Sequence, residues 1–267
     1  MTTTATNRTF QLGGELEVNR IGYGAMRLTG QPGNYGPYPQ WDQGKALLRR
    51  AVELGVNFFD SAWAYGPKYA DQLIGEALLS SSNGSSMPPV VIATKGGVDK
   101  PAPGNIQVDG SPATLTKQID EALTILKVES IDLFQLHRVD PNTPLEESVA
   151  ALKVAQDAGK IRLIGLSNVD QAQLERALAV APIASVQNRF NQSEQGQGYL
   201  VDFTAERGIA FIPYGPLGAN PMKKGAALPA QEAIAWLLQR SPNIIVIPGT
   251  TSIAHLEENM AAWELVN

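Results

Sequence analysis

The sequence predicts a single α/β domain, an eight-stranded parallel (β/α)8 barrel, and three observations carry that prediction. Short β-branched runs alternate with amphipathic helical segments; a hairpin signal precedes the first run; and no glycine-rich dinucleotide fingerprint follows it. Repeated strand–helix alternation demands parallel pairing by crossover, which an open doubly wound sheet or a closed barrel satisfies. The glycines of NRIGYGAMRLTG open no helix at the spacing a dinucleotide fold requires, so the closed barrel is preferred. At 267 residues the chain has the size usual for one such barrel, about 250 residues, and residues 1–267 are expected to form one domain.

The elements follow in order. TFQLGGELEVN reads as two short strands around Gly13-Gly14, a hairpin that would plug one end of the barrel. Strands are expected at 19–24 (NRIGYG), 56–60 (VNFFD), 90–95 (VVIATK) and 131–137 (IDLFQLH). Four more are expected at 162–168 (RLIGLSN), 184–188 (ASVQN), 209–214 (IAFIPY) and 243–248 (NIIVIP). Apolar residues recur at three and four over 43–55, 111–127, 144–160 and 170–181, the spacing of helices packed on a sheet. Ser111 before Pro112 and Thr143 before Pro144 are start signals, and Gly55 and Gly159 are stop signals. SSSNGSSMPP, at 80–89, reads as a polar surface connector.

Composition removes several function classes. A net charge of -5, with no basic run longer than a pair such as Lys223-Lys224, argues against nucleic-acid or anionic-membrane partners. The absence of cysteine excludes disulfides, thiolate nucleophiles and Cys-ligated metal or iron–sulfur sites. With two histidines, His137 and His255, a site of several imidazoles cannot be assembled, and no metal is expected. The polar segment Met1–Thr9 lacks the apolar run of a signal peptide, and no stretch approaches the roughly 20 apolar residues of a membrane helix. A cytoplasmic location is the expectation. Oligomeric state is not read from the sequence.

In a barrel of this kind chemistry sits at the C-terminal strand ends, so polar residues closing apolar runs are the candidates. Asp60, Lys95, His137, Ser167-Asn168, Gln187-Asn188 and Tyr214 fit that description. Taken singly, an Asp after a strand is most often a turn or cap residue. As a set they converge on one mouth, where Lys95 needs a partner such as Asp60 to stay charged. Tyr65, five residues beyond Asp60 in DSAWAYG, could reach back over that pair. The ammonium is expected to lower its pKa from about 10, giving a usable general acid, while His137 hydrogen-bonds a substrate oxygen.

At these residues the sequence resembles the aldo-keto reductase superfamily over nearly its whole length. The motifs are FFDSAWAYG, IATKGG, DLFQLHRVDP, IGLSN, SVQNRFN, FIPYGPLG and IPGTTSIAHLEEN, in the family's order. The resemblance implies a (β/α)8 barrel closed by a hairpin, and an NADPH-dependent reduction of small aldehydes or ketones. By that resemblance Tyr65 protonates the carbonyl oxygen, Lys95 and Asp60 tune the phenol, and His137 orients the carbonyl. Ser167, Asn168 and Gln187 would bind the nicotinamide carboxamide, Tyr214 would stack on the ring, and Met26 and Gly215 would also touch the cofactor. Leu217 and Gly218 would face the pyrophosphate. Gly249, Thr250, Thr251 and Ser252, with His255, Glu258 and Asn259, would take the adenosine end at a helix N-terminus. Trp63, Arg138, Arg189 and Phe190 are the candidate substrate wall.

Two departures from the family pattern bear on these expectations. Gly249 and His255 stand where many relatives carry a lysine and an arginine, so NADH is a possible second cofactor beside NADPH. The chain is also short after Gly218 and around its C-terminal region, which implies a more open pocket. The tail from AWLLQR to ENMAA is similar to that of bacterial members described as pyridoxal reductases. Two other readings stand beside the enzyme: a cofactor-binding regulatory subunit resembling the potassium channel β subunits, and a metal-dependent barrel lyase or isomerase.

Overall fold

The computed structural model describes residues 7–79, 88–216 and 229–266. Strands β1 (Thr9–Leu12) and β2 (Leu16–Asn19) form the expected antiparallel hairpin, with Phe10 opposite Val18. Seven strands then pair in parallel: β3 (Tyr23–Gly24), β4 (Phe58–Asp60), β5 (Val91–Gly96), β8 (Ile131–Leu136), β9 (Ile161–Ser167), β10 (Ser185–Gln187) and β11 (Ala210–Phe211). Residues 243–247 close the ring. Ile244 bridges Phe211 and Val246 bridges Ile21, both in parallel, so the two edges of the seven-stranded sheet meet through one segment. The Val246 carbonyl accepts from Gly22 N at 2.8 Å, and Val246 N donates to Arg20 O at 2.9 Å.

Arg20 secures the seam. Its buried guanidinium donates to the carbonyls of Ile244 (3.0 Å), Leu238 (2.7 Å) and Ser241 (2.6 Å). Burial lowers its pKa to about 10, well above neutrality, so it keeps its charge.

The helices lie outside the ring: α1 (Trp41–Glu53), α2 (Tyr69–Ile74), α3 (Pro112–Leu126), α4 (Leu145–Asp157), α5 (Gln171–Leu178), α6 (Gly198–Ala205), α7 (Ala230–Arg240) and α8 (Ile253–Met260). Local signals set their ends. Ser111 accepts from Thr114 N ahead of Pro112, and Asp170 with Gln173 forms a reciprocal capping box on α5. Gly55 and Gly159 follow α1 and α4 with φ of +93° and +74°, the left-handed conformation that stops a helix. Among the described residues, no helix is long and apolar enough to cross a membrane.

Strand alternation divides the core in two. Phe59, Ile92, Phe134, Ile164 and Val186 face the helices. Phe58, Val91, Ala93, Leu133, Leu163, Ile212 and Ile245 fill the barrel, joined from below by Leu12 and Val18 of the hairpin. One element was not foreseen: β6 (Val98–Ala102) and β7 (Asn105–Val108) form a second hairpin between β5 and α3. Its sequence, VDKPAPGNIQV, carries two prolines and lacks the alternation of an independent strand pair. The connector at 80–87 lies outside the described residues.

Candidate active site

The period of two that buries Phe58 also turns Asp60 into the barrel, and likewise turns Lys95 inward after Val91 and Ala93. Both are nearly inaccessible, at 2% and 0% exposure. Lys95 Nζ donates to Asp60 Oδ1 (2.8 Å) and Oδ2 (2.7 Å) and to the Ser61 carbonyl (2.6 Å). Asp60 Oδ1 also accepts from Gln187 Nε2 (2.8 Å) and Gln135 Nε2 (3.3 Å). Gln135 was not anticipated, because it sits inside an apolar run one residue before its end. It lies against Gly165, where a Cβ would lie 2.8 Å from Gln135 Cγ and 2.3 Å from Ser185 Oγ.

Tyr65 comes from the loop after β4, with its ring centroid 5.2 Å from the Lys95 ammonium and edge-to-face on His137 at 6.0 Å. Here an expectation is corrected. Burial raises the Tyr65 pKa, Lys95 opposes it, and the carboxylates of Asp60 and Asp71 add to the rise, so the net direction is upward. A partner that is itself neutralised by Asp60 cannot offset the desolvation of a phenolate. The phenol therefore holds its proton at neutral pH, the state a proton donor needs. Burial pulls Lys95 downward, but Asp60 and Tyr65 outweigh it and hold the ammonium charged.

His137 follows β8, anchored by its backbone N–H to Gly96 O at 2.8 Å. Burial, then Lys95 and Arg138, lower its pKa to about 3, so its imidazole is neutral. Its Nδ1 is buried without a hydrogen-bond partner in the protein.

These groups border a cavity of about 390 Å³ at the C-terminal strand ends. Asp60, Tyr65 and His137 line it with Met26, Ser167, Asn168, Gln187, Tyr214, Gly215 and Gly249. Asn168, at φ +58°, donates to His137 O and Ser167 Oγ and accepts from the Tyr214 hydroxyl at 2.7 Å, which presents the half-buried Tyr214 ring to the cavity. Gly249 packs against Gly24, where an added Cβ would lie 2.6 Å from the Gly24 carbonyl oxygen. A side chain at this position would force the two backbone segments apart.

Other site residues lie elsewhere. Thr250 and Asn259 are buried and do not line the cavity, while Thr251, His255 and Glu258 are exposed. Ser252 caps α8, its Oγ accepting from His255 N at 3.4 Å. Leu217 and Gly218 lie outside the described residues. Of the four candidate wall residues, Arg138 and Arg189 line the cavity, whereas Trp63 and Phe190 do not. Trp63 donates to Glu121 on α3 at 3.0 Å with the Lys68 ammonium over its ring. Phe190 is fully buried between Phe211 and Trp236. Both are loop anchors: their large apolar rings are worth more packed against helices than bordering a polar mouth.

Asp71 is a second residue the sequence did not reveal. On α2, fully buried, it accepts from Thr94 Oγ1 with both oxygens (3.0 and 2.9 Å), on the outward face of the strand that turns Lys95 inward. Burial, only partly offset by the Thr94 hydroxyl and the nearby Lys95 ammonium, raises its pKa from 3.8 to about 6. Between those values the folded chain binds more protons than the unfolded one, so this group's contribution to stability declines as pH rises from about 4 to about 6. Asp71→Asn keeps an acceptor for Thr94 and is expected to raise stability above pH 6 by about 2–3 kcal/mol relative to its difference at pH 4. Denaturation midpoints of both proteins across that range test it, and a pH-independent difference would show that Asp71 does not titrate there.

The fold and its cavity define a (β/α)8 barrel with polar side chains gathered at the C-terminal strand ends. Within that class the chain belongs to the aldo/keto reductase family, whose profile it matches over residues 20–227 and 222–267, and it is an oxidoreductase. It is 39% identical over 275 residues to pyridoxine 4-dehydrogenase of Escherichia coli, covering 97% of this chain and 94% of that protein. It is 36% identical over 266 residues to an uncharacterized oxidoreductase of Schizosaccharomyces pombe, covering 93% and 83%. Among solved structures, an aldo-keto reductase from Klebsiella pneumoniae in complex with NADPH superposes with a TM-score of 0.79 at 25% identity, covering 97% of this chain and 90% of that one.

Proposed function

We propose that this protein reduces small aldehydes and ketones with NADPH, and that Tyr65 is the proton donor. The observation that carries the reading is the meeting of a protonated phenol, a buried ion pair and a neutral imidazole on one cavity wall.

The cavity suits a nicotinamide. The Tyr214 ring offers an aromatic face for a flat heterocycle, and the amides of Asn168 and Gln187 supply both donors and acceptors for a carboxamide. Met26, Ser167, Gly215 and Gly249 would complete that wall, and the outer residues from Thr250 to Asn259, with His255 exposed, would meet the adenosine end. A bound reduced nicotinamide supplies hydride to the carbonyl carbon. The developing negative charge on oxygen needs a donor, and the Tyr65 hydroxyl provides the proton. The Lys95 ammonium then stabilises the phenolate, while Asp60, with two amide donors as well, keeps that ammonium in place. Neutral His137 donates a hydrogen bond to the carbonyl oxygen from Nε2, placing it beside the phenol. The small-molecule carbonyl compound is the partner the cavity fits, and the cytoplasm is the proposed location.

Purified protein mixed with NADPH and a panel of aldehydes, ketones and pyridoxal is expected to oxidise the cofactor in step with alcohol formation. Absence of turnover across the panel, with cofactor binding demonstrated, would reject the reading.

A further inference from the structure

The cavity carries more positive charge than the proposed reduction uses. Its charged lining side chains are Asp60, Arg27, Lys100, Arg138 and Arg189. Asp60 is engaged by Lys95, and Arg189 bonds Glu194 at 2.5 Å. Lys100 is 8% exposed, yet among the described residues no carboxylate lies within ion-pair distance of its ammonium. It donates instead to the carbonyls of Gly33 and Asn34. Arg138, beside His137, also has no ion pair among the described residues. Residues 1–6, 80–87, 217–228 and 267 contain no aspartate or glutamate, so they add no side-chain counter-ion, while Lys223 and Lys224 are cationic.

A part-buried ammonium without an anion is costly, and two carbonyl dipoles replace a carboxylate only in part. Burial accordingly lowers the Lys100 pKa. Val98, two residues earlier on the same face of β6, and Ile106 of β7 add an apolar wall next to it. Sheet order places these groups. Lys100 follows β5 and Arg138 follows β8, which are neighbours, and the same sector carries Lys95, His137 and, from beyond β4, Tyr65. Ser167, Gln187 and Tyr214 belong to the sector of β9, β10 and β11. Lys100 thus lies on the side of the phenol, and Arg138 stands where that side meets the proposed nicotinamide wall, one residue from the His137 carbonyl that Asn168 reaches.

We propose that the physiological substrate is a carbonyl compound bearing an anionic group, a carboxylate or phosphate ester, which Lys100 and Arg138 hold while Val98 and Ile106 cover its carbon frame. This rests on the reductase reading above, since the same cavity presents the carbonyl to Tyr65 and His137.

The test compares 4-carboxybenzaldehyde, 4-formylphenyl phosphate and neutral 4-methylbenzaldehyde at saturating NADPH. At least one anionic aldehyde is expected to exceed the neutral one in kcat/KM by about tenfold or more, mainly through KM, as a charge-assisted hydrogen bond would give. Whichever anion wins identifies the group. Arg138→Met and, separately, Lys100→Met should collapse the ratio towards one, and Lys100→Arg should retain most of it, while NADPH affinity stays as in the wild type. Equal turnover of all three aldehydes overturns the proposal, as does a preference that survives both methionine variants. A loss of NADPH affinity in those variants, with the preference intact, would assign the cations to the cofactor phosphates and also overturn it. If no aldehyde is reduced, the reductase reading fails by itself. Calorimetric binding of 4-methylbenzoate, with and without NADP⁺, then decides the anion site: weakening by Arg138→Met supports it, and equal or undetectable binding rejects it.

Discussion

Tyr65→Phe is expected to lower kcat for carbonyl reduction by about 10²- to 10⁴-fold, the range a positioned general acid contributes. The substitution removes one oxygen from a ring already held edge-to-face against His137, so the cavity keeps its shape and cofactor binding should be unchanged. The loss should fall on kcat and kcat/KM alike, because the proton is needed only as charge builds on the carbonyl oxygen. Because burial raises the phenol pKa, the wild-type rate should not lose its proton donor until pH exceeds the ordinary phenol range, about 10. His137, with a pKa of about 3, should impose no inflection between pH 5 and 8. Steady-state kinetics with cofactor titrations measure all of this. A phenylalanine variant that keeps full turnover would remove Tyr65 from the mechanism.

Lys95→Met should be the most damaging single change to stability as well as to turnover. Asp60 would remain fully buried, facing only the neutral amides of Gln135 and Gln187, and breaking a buried pair in this way costs about 3–5 kcal/mol. Converting both partners, Asp60→Asn with Lys95→Met, leaves no buried charge and should recover most of that stability. Turnover should stay low in the double variant, because the phenolate formed at Tyr65 then has no ammonium beside it. Chemical denaturation and kinetics on the three proteins separate the two roles. If Lys95→Met were as stable as the wild type, the pair would not be an electrostatic unit; if the double variant regained activity, Lys95 would serve the fold alone.

Much of the barrel was legible because it depends on local patterns. Ser111-Pro112, Gly55 and Gly159 act within a turn or two of chain. The polar residues ending strands were legible because each closes an apolar run at the end of a barrel where chemistry sits. The β6–β7 hairpin was not, since VDKPAPGNIQV has no strand alternation and folds over the cavity mouth by packing. Gln135 and Asp71 were missed because neither ends a strand. Gln135 reaches Asp60 only where β8 and β4 flank β5, and Asp71 meets Thr94 only where α2 packs on β5.

The sequence by itself determined the order and kind of most elements, the strand ends that carry Asp60 and Lys95, and the family. Tertiary structure decided the environments. Whether an aromatic such as Trp63 borders the mouth or anchors a loop depends on what a distant helix offers it, here Glu121. Whether Tyr65 gains or loses acidity beside an ammonium depends on how much water the fold removes and on which carboxylate has already claimed that charge. Solvent exclusion is a property of the closed ring and its covering loops, and no segment read in isolation contains it.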